Sequence, residues 1–179
     1  MAEDKKQGKS MKEPFLEKVT LNIGAGESGQ KLENARTLIE RVSGHKAVAT
    51  KAKARNPTFK VQKGDEIGVK VTLRGEDAAA FLRKALDVVD NKIPARSFDN
   101  YGNVAFGVKE YIELPGMKYD PAIGMMGFDV CMTLSKAGAR VGRRRVASRR
   151  VPLKQRVSKQ EAIDFLSKNF GVSALTKEE

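Results

Sequence analysis

The sequence predicts an α+β fold: a largely antiparallel sheet with helices packed on one face and a polar, basic face left open. Three observations carry that expectation. Runs with an apolar period of two, at 18–23 and 67–74, alternate along the chain with runs at helical spacing, at 30–43 and 76–90. The two clearest strands place basic or small polar residues opposite their apolar face. Basic charge is also segregated. Seven Lys/Arg and no acid lie between Glu40 and Asp65, and ten with no acid lie between Asp129 and Glu161. These stretches hold 17 of 34 basic residues and none of the 22 acids, so the rest of the chain has a net charge of −5. Two all-positive segments on an acidic body are the footprint of a polyanion partner.

Taken in order, residues 1–14 read as a flexible arm, 15–175 as one domain and 176–179 as a tail. Val19, Leu21 and Ile23 alternate with Lys18, Thr20 and Asn22, the pattern of a half-buried strand. A glycine turn leads into a helix over 30–43, with Leu32, Ala35, Leu38, Ile39 and Val42 on one stripe and Gly44 as its stop. Residues 46–53 predict a basic strand that includes Thr50 and Lys51, followed by a loop around Asn56 and Pro57. Ile67, Val69, Val71 and Leu73 alternate with Gly68, Lys70, Thr72 and Arg74, a second two-faced strand. The helix over 76–90 carries Ala78, Phe81, Leu82, Ala85, Leu86 and Val89. Strands over 104–112 and 128–135 flank a loop at 113–127 rich in Pro, Gly and Met. Ser158 and Glu161 form a capping box that opens a last helix, and Gly171 follows its end.

Size and composition set limits. A chain of 179 residues with 40% apolar content buries roughly 70% of its unfolded surface in one domain. No apolar run approaches the ~18 residues a membrane span needs, and the charged N-terminus has no signal-like apolar region. With a single Cys131 and a single His45, neither a disulfide framework nor a Cys/His metal site is expected from this chain alone. A cytosolic protein that meets nucleic acid rather than membrane is the expectation.

Gly24-Ala25-Gly26-Glu27-Ser28-Gly29 spells G-x-G-x-x-G between a strand and a helix, where a dinucleotide-binding loop would sit. Such a loop expects an acid about 20 residues on, and residues 41–64 contain none. Lys51 or Lys53 could still hold the 2′-phosphate of NADP. The strand-loop-strand reading of 46–74 favours a plain tight turn, because a doubly wound fold would continue into a helix. Ser43 and Lys46 match S-x-x-K without its companion motifs. Cys131 reads as a packed thiol, and no acid/base pair stands out. No active site and no cofactor are expected.

The open face is predicted to carry Lys18, Thr20, Asn22, Lys70, Thr72 and Arg74. Pattern alone leaves two uses open: a platform for RNA sugar and phosphate, or the solvated side of an antiparallel sheet. Residues 136–156 hold Arg140, Arg143, Arg144, Arg145, Arg149, Arg150, Lys154 and Arg156, punctuated by Gly138, Gly142 and Pro152. A helix there is not expected. The segment should stay extended until laid along phosphates, which guanidinium groups grip bidentately. A basic loop over 54–64 places Phe59 among Arg55, Asn56, Thr58 and Lys60, as a finger toward RNA or as an aromatic folded back on the core.

The stretches KVTLNIGAGE, GHKAVATKAKARNPTFKVQKGDEIGVKVTLRGE, ARSFDNYGNVAFGVKEYIELPGMKYDP and GMMGFDVCMTL closely resemble one family. It is the 5S rRNA-binding protein of the large ribosomal subunit, number five in that subunit's series. The likeness runs from about Glu13 to Leu175. The Arg-rich insertion, the SKQEAIDFL helix and the missing long N-terminal helix resemble the archaeal and eukaryotic branch. The resemblance implies an α+β structural protein of the central protuberance, without catalysis, cofactor, membrane or small-molecule substrate. It implies that Asn22, Thr50, Thr72 and Arg74 face 5S rRNA; Lys18, Thr20 and Lys70 from the open face, with His45 and Lys51, complete the expected 5S rRNA side. His45 stands where family members often carry Gln. The 54–64 loop would reach P-site tRNA, and 113–127 would bridge to a small-subunit protein, number thirteen in its series. The glycine fingerprint falls on a turn found across the family. A general RNA chaperone or processing factor and, behind it, an NADP-dependent enzyme remain as alternatives.

Overall fold

The computed structural model describes residues 12–26 and 28–175. The predicted arm over 1–14 lies outside them as far as residue 11, as does the tail at 176–179. The elements run β1 (Pro14–Gly24), α1 (Gln30–Ser43), β2 (Val48–Lys51), β3 (Glu66–Leu73), α2 (Gly75–Val88), β4 (Lys92–Pro94), β5 (Asn103–Val108), β6 (Phe128–Lys136), α3 (Lys159–Phe170) and β7 (Ser173–Leu175). Five strands form one sheet in the order β2-β3-β1-β6-β5, with every neighbour antiparallel. The α+β class read from the sequence is the observed one.

The period of two decides the layers. Val19 and Leu21 of β1 and Val69 of β3 are fully buried, as are Val130 and Met132 of β6. Helices α1 and α2 cover this face with Leu32, Ala35, Leu38 and Ile39, and with Ala78, Phe81, Leu82, Ala85 and Leu86. These are the stripes that helical spacing predicts. Burying each large aliphatic side chain contributes about 1.5–3 kcal/mol. Ala162 and Leu166 of α3 join the same core.

The structure differs from the sequence-based expectation at irregular places. β1 begins at Pro14 rather than 18, because its register shifts between Leu16 and Lys18 and the bulge at Glu17 breaks the alternation. The strand expected over 46–53 contracts to Val48–Lys51; beyond a second register shift, the Ala52 N–H donates to the Asp65 carbonyl at 2.8 Å. The strand expected over 104–112 stops at Val108. Tyr111 then opens a 3₁₀ turn and is buried, its hydroxyl accepting from the Asp120 N–H at 2.9 Å. The parallel pair β4–β7 was not expected, since three residues are too few to show a period. The 113–127 loop is fastened to α1: the Asn34 amide donates to the Ala122 carbonyl at 2.8 Å, and Arg41 pairs with Asp120.

The Arg-rich tract is helix-free except for 3₁₀ turns at Ala139–Gly142 and Leu153–Gln155. It is nevertheless tied down, where the sequence suggested a segment held extended by its own repulsion. Two acids outside the tract supply the missing counter-charge. Arg143 forks onto Glu17, and Lys136 Nζ sits 2.7 Å from Glu161 Oε1. The Arg156 guanidinium lies 5.1 Å from the centre of the Tyr101 ring. Gly102, at φ +76°, permits the closest approach: a Cβ there would stand 2.6 Å from Val157 Cβ. Hydrogen bonding from Arg143 holds the Glu17 carboxyl below its ordinary value of 4.5, against the opposing effect of burial, with Lys18 and Arg74 adding to the field. Glu161 is held down by Lys136 and then by the Ser158 backbone N–H.

A carboxylate whose pKa falls on folding stabilises the fold fully above its unfolded pKa, and that contribution is lost as pH drops through the folded value. Glu17→Gln should therefore lower the denaturation midpoint at pH 7. The gap from the parent should close as pH falls below about 4; a gap that persists in acid would mean the ion pair is not its cause. Ser158 accepts from the Glu161 N–H at 3.3 Å in a complete capping box. Ser158→Ala should cost about 1 kcal/mol in chemical denaturation.

Candidate nucleic-acid interface

Among the described residues, no helix covers the second face of the sheet. Its rows follow from the register. Asn22 lies opposite Lys70 and Thr20 opposite Thr72 across β1 and β3. Toward the other edge, Lys18 meets Thr133, Thr20 meets Cys131 and Asn22 meets Asp129. Asn103, Ala105 and Gly107 of β5 complete those rows. On the far side Val48 and Thr50 of β2 lie opposite Lys70 and Gly68. The result is a broad shelf of mostly short side chains, with Lys70 within it on β3, Lys18 at one end of its rows on β1 and Arg74 just past the end of β3. Gly68 keeps it flat: an added Cβ would come within 2.8 Å of the Ile23 carbonyl and 2.9 Å of Thr50 Oγ1.

The side chains of Thr20, Asn22, Thr50, Lys70 and Thr72 make no hydrogen bond or ion pair among the described residues. One member of the predicted set lies off this face. His45 Nε2 sits 3.3 Å from Asp77 Oδ2 in the first turn of α2, on the helix side of the sheet. Lys51 follows the β2 bulge and pairs at 3.8 Å with Glu66. Asp129, Cys131, Thr133 and Asn103 share the face but were not picked out from sequence, although 128–135 and 103–108 have the same period of two. The Cys131 thiol is pushed up by burial and then by the Asp129 charge, so it stays protonated.

Residues 52–65 form a closed tongue rather than a slack loop. Asn56 and Val61 exchange backbone hydrogen bonds at 2.9 and 3.1 Å, and the Asn56 carboxamide oxygen accepts from the Thr58 N–H at 3.1 Å. Lys60 adopts φ +54° to turn the tip. Phe59 is 71% exposed there, so it points away from the core. Arg55, Thr58 and Lys60 are exposed around it.

In the Arg-rich tract, Arg144 Nε donates to the Ala147 carbonyl at 2.9 Å. Arg140, Arg145, Arg149, Arg150 and Lys154 have no side-chain partner among the described residues. Between the tract and the β5–β6 end of the shelf lies a cleft of about 560 Å³, lined on one side by Asn103 and Thr133 and on the other by Arg143, Arg149 and Arg150.

The glycine fingerprint has a structural use. The Ala25 and Gly26 N–H groups both donate to the Ile67 carbonyl at 3.0 Å, so they are not free to cradle a pyrophosphate. β1 also pairs antiparallel on both sides, unlike the first strand of a dinucleotide-binding unit. Among the described residues, no group of three or more His, Cys, Asp and Glu is placed to hold a metal ion.

Two family models match the chain: ribosomal protein L5 over residues 9–62, and the C-terminus of the same ribosomal protein family over 66–165. Relatives named large ribosomal subunit protein uL5 are similar over nearly their full length. The one from Sulfurisphaera tokodaii is 50% identical over 164 residues, 91% of this chain and 93% of its own. The one from Sulfolobus acidocaldarius is 45% identical over 175 residues, 98% of each. The one from Methanoculleus marisnigri is 44% identical over 163 residues, 91% of this chain and 98% of its own. With an open polar sheet face, a turn that closes the nucleotide-loop reading and this breadth of similarity, the chain belongs to the ribosomal protein L5 family, a structural and non-enzymatic component of the large ribosomal subunit.

Proposed function

We propose that this protein holds 5S rRNA in the central protuberance of the large subunit through the open face of its sheet. The observation that carries the reading is the set Thr20, Asn22, Thr50, Lys70 and Thr72, without side-chain partners among the described residues, on a flat face that no described helix covers. Short hydroxyl and amide side chains suit ribose and base edges, while Lys18, Lys70 and Arg74 suit phosphate. Lys51 would contribute from the β2 edge, and His45 from the turn between α1 and β2. The tract with Arg140, Arg143, Arg144, Arg145, Arg149, Arg150, Lys154 and Arg156 extends the contact to further rRNA. The tongue presents Phe59 with Arg55, Asn56, Thr58 and Lys60 toward P-site tRNA. The 113–127 loop, pinned to α1 by Asn34 and Arg41, meets a small-subunit protein across the subunit interface. The protein thus works in the cytoplasm as part of the ribosome.

A titration against 5S rRNA with bulk tRNA as competitor, repeated across salt concentrations, tests this. Binding should saturate, resist tRNA and keep a specific component at about 200 mM salt. Lys70→Ala should reduce the slope of log affinity against log salt by about one. Asn22→Ala with Thr72→Val should weaken 5S rRNA binding about tenfold. If tRNA displaces 5S rRNA completely and these changes have no effect, the protein is a general RNA chaperone instead.

A further inference from the structure

The cleft beside Tyr101 has a chemistry that phosphate binding alone does not explain. We propose that it receives a single unstacked nucleotide of single-stranded RNA, the base against Tyr101 and Arg156 and the phosphate on Arg149 and Arg150. The proposal rests on the RNA-binding reading above and assigns a ligand class to one part of that surface.

Charge comes first. Five basic side chains and no acid line the cleft. Two of them, Lys136 and Arg143, are neutralised by Glu161 and Glu17. Arg149 and Arg150 have no partner among the described residues, and Arg156 faces only an aromatic ring. Unbalanced guanidinium groups around a concavity attract an anion, and their planar forks match phosphate oxygens.

Shape narrows the ligand. At about 560 Å³ the cleft falls within the roughly 300–1,000 Å³ of small-ligand sites. A duplex presents its phosphates on a convex surface and keeps its bases stacked inside, so it reaches the rim and not the interior. A nucleotide swung out of a single strand fits within.

The walls supply what a base needs. The Tyr101 ring is 50% exposed and carries the Arg156 guanidinium at 5.1 Å. An aromatic ring joined to a guanidinium plane is a stacking platform for any base. The Gln155 amide has no hydrogen bond of its own among the described residues and offers both a donor and an acceptor to a base edge. The platform is also held in place. The Gly102 carbonyl accepts from the Leu134 N–H at 3.0 Å, and Gly102 packs against Val157 at the foot of the opposite wall. The Tyr101 end of the cleft is therefore held in place before a ligand arrives, which leaves less to order on binding.

The test uses the full chain with two probes: a short single-stranded oligoribonucleotide containing 2-aminopurine, and a blunt RNA duplex with the same number of phosphates. Variants Tyr101→Leu and Arg149→Gln/Arg150→Gln are first checked for an unchanged denaturation profile. The single strand should bind tighter than the duplex and quench the 2-aminopurine. Tyr101→Leu should weaken it about tenfold and relieve the quenching while leaving duplex binding unaltered; the double arginine change should weaken both probes. If Tyr101→Leu alters neither affinity nor quenching, the cleft is a phosphate contact and the proposal falls. Binding of 5S rRNA is measured alongside. Its loss with the oligonucleotide result intact would count against the 5S reading and still support the nucleotide site.

Discussion

β1 is the strand on which the rest of the molecule depends. It lies at the centre of the sheet, bonded to β3 on one side and β6 on the other. Because side chains alternate, its register fixes both faces at once. Val19, Leu21 and Ile23 enter the core under α1 and α2, so Thr20 and Asn22 must emerge on the open side beside Thr72 and Lys70. A slip of one residue would expose three large aliphatic side chains, each worth about 1.5–3 kcal/mol when buried. Hydrophobic burial of one face is thus what aligns the polar rows on the other.

Electrostatics organises the remainder. A chain of formal net charge +12 concentrates its positive charge where the core has least hold, in the tongue and in the Arg-rich tract. Each is shaped by a few local devices. The tongue closes on its own backbone hydrogen bonds. The tract is moored by Glu17, Glu161 and the Gly102–Val157 contact, and the bulge that interrupts β1 falls at Glu17. The moorings neutralise Arg143 and Lys136 and leave the other cations of the tract displayed. The same few residues give the tract a defined path and build the cleft beside Tyr101.

Much of this was legible in the sequence because regular elements write their period into it. The alternation in β1 and β3, the apolar stripes of α1 and α2 and the capping box of α3 all appear as their residue spacing predicts. The unread parts are those whose cause lies far along the chain. The bulge at Glu17 hid the first residues of β1, and β4 and β7 find each other across some eighty residues with three residues apiece. No local pattern marks Tyr101, because its significance comes from Arg156, far along the chain. His45 and Lys51 each lie beside an acid, Asp77 and Glu66, that no local pattern connects to it. Ion pairs and close approaches are long-range facts, and periodicity is a short-range one.

The central claim is that RNA lies on the helix-free face. Lysine-modification footprinting of the protein bound to 5S rRNA tests it most directly. The account predicts that Lys70, and Lys18 farther along the same face, become protected while Lys31 on α1 and Lys84 on α2 keep the reactivity of the free protein. Protection of Lys31 and Lys84 with Lys70 unchanged would place the RNA on the helices and contradict it.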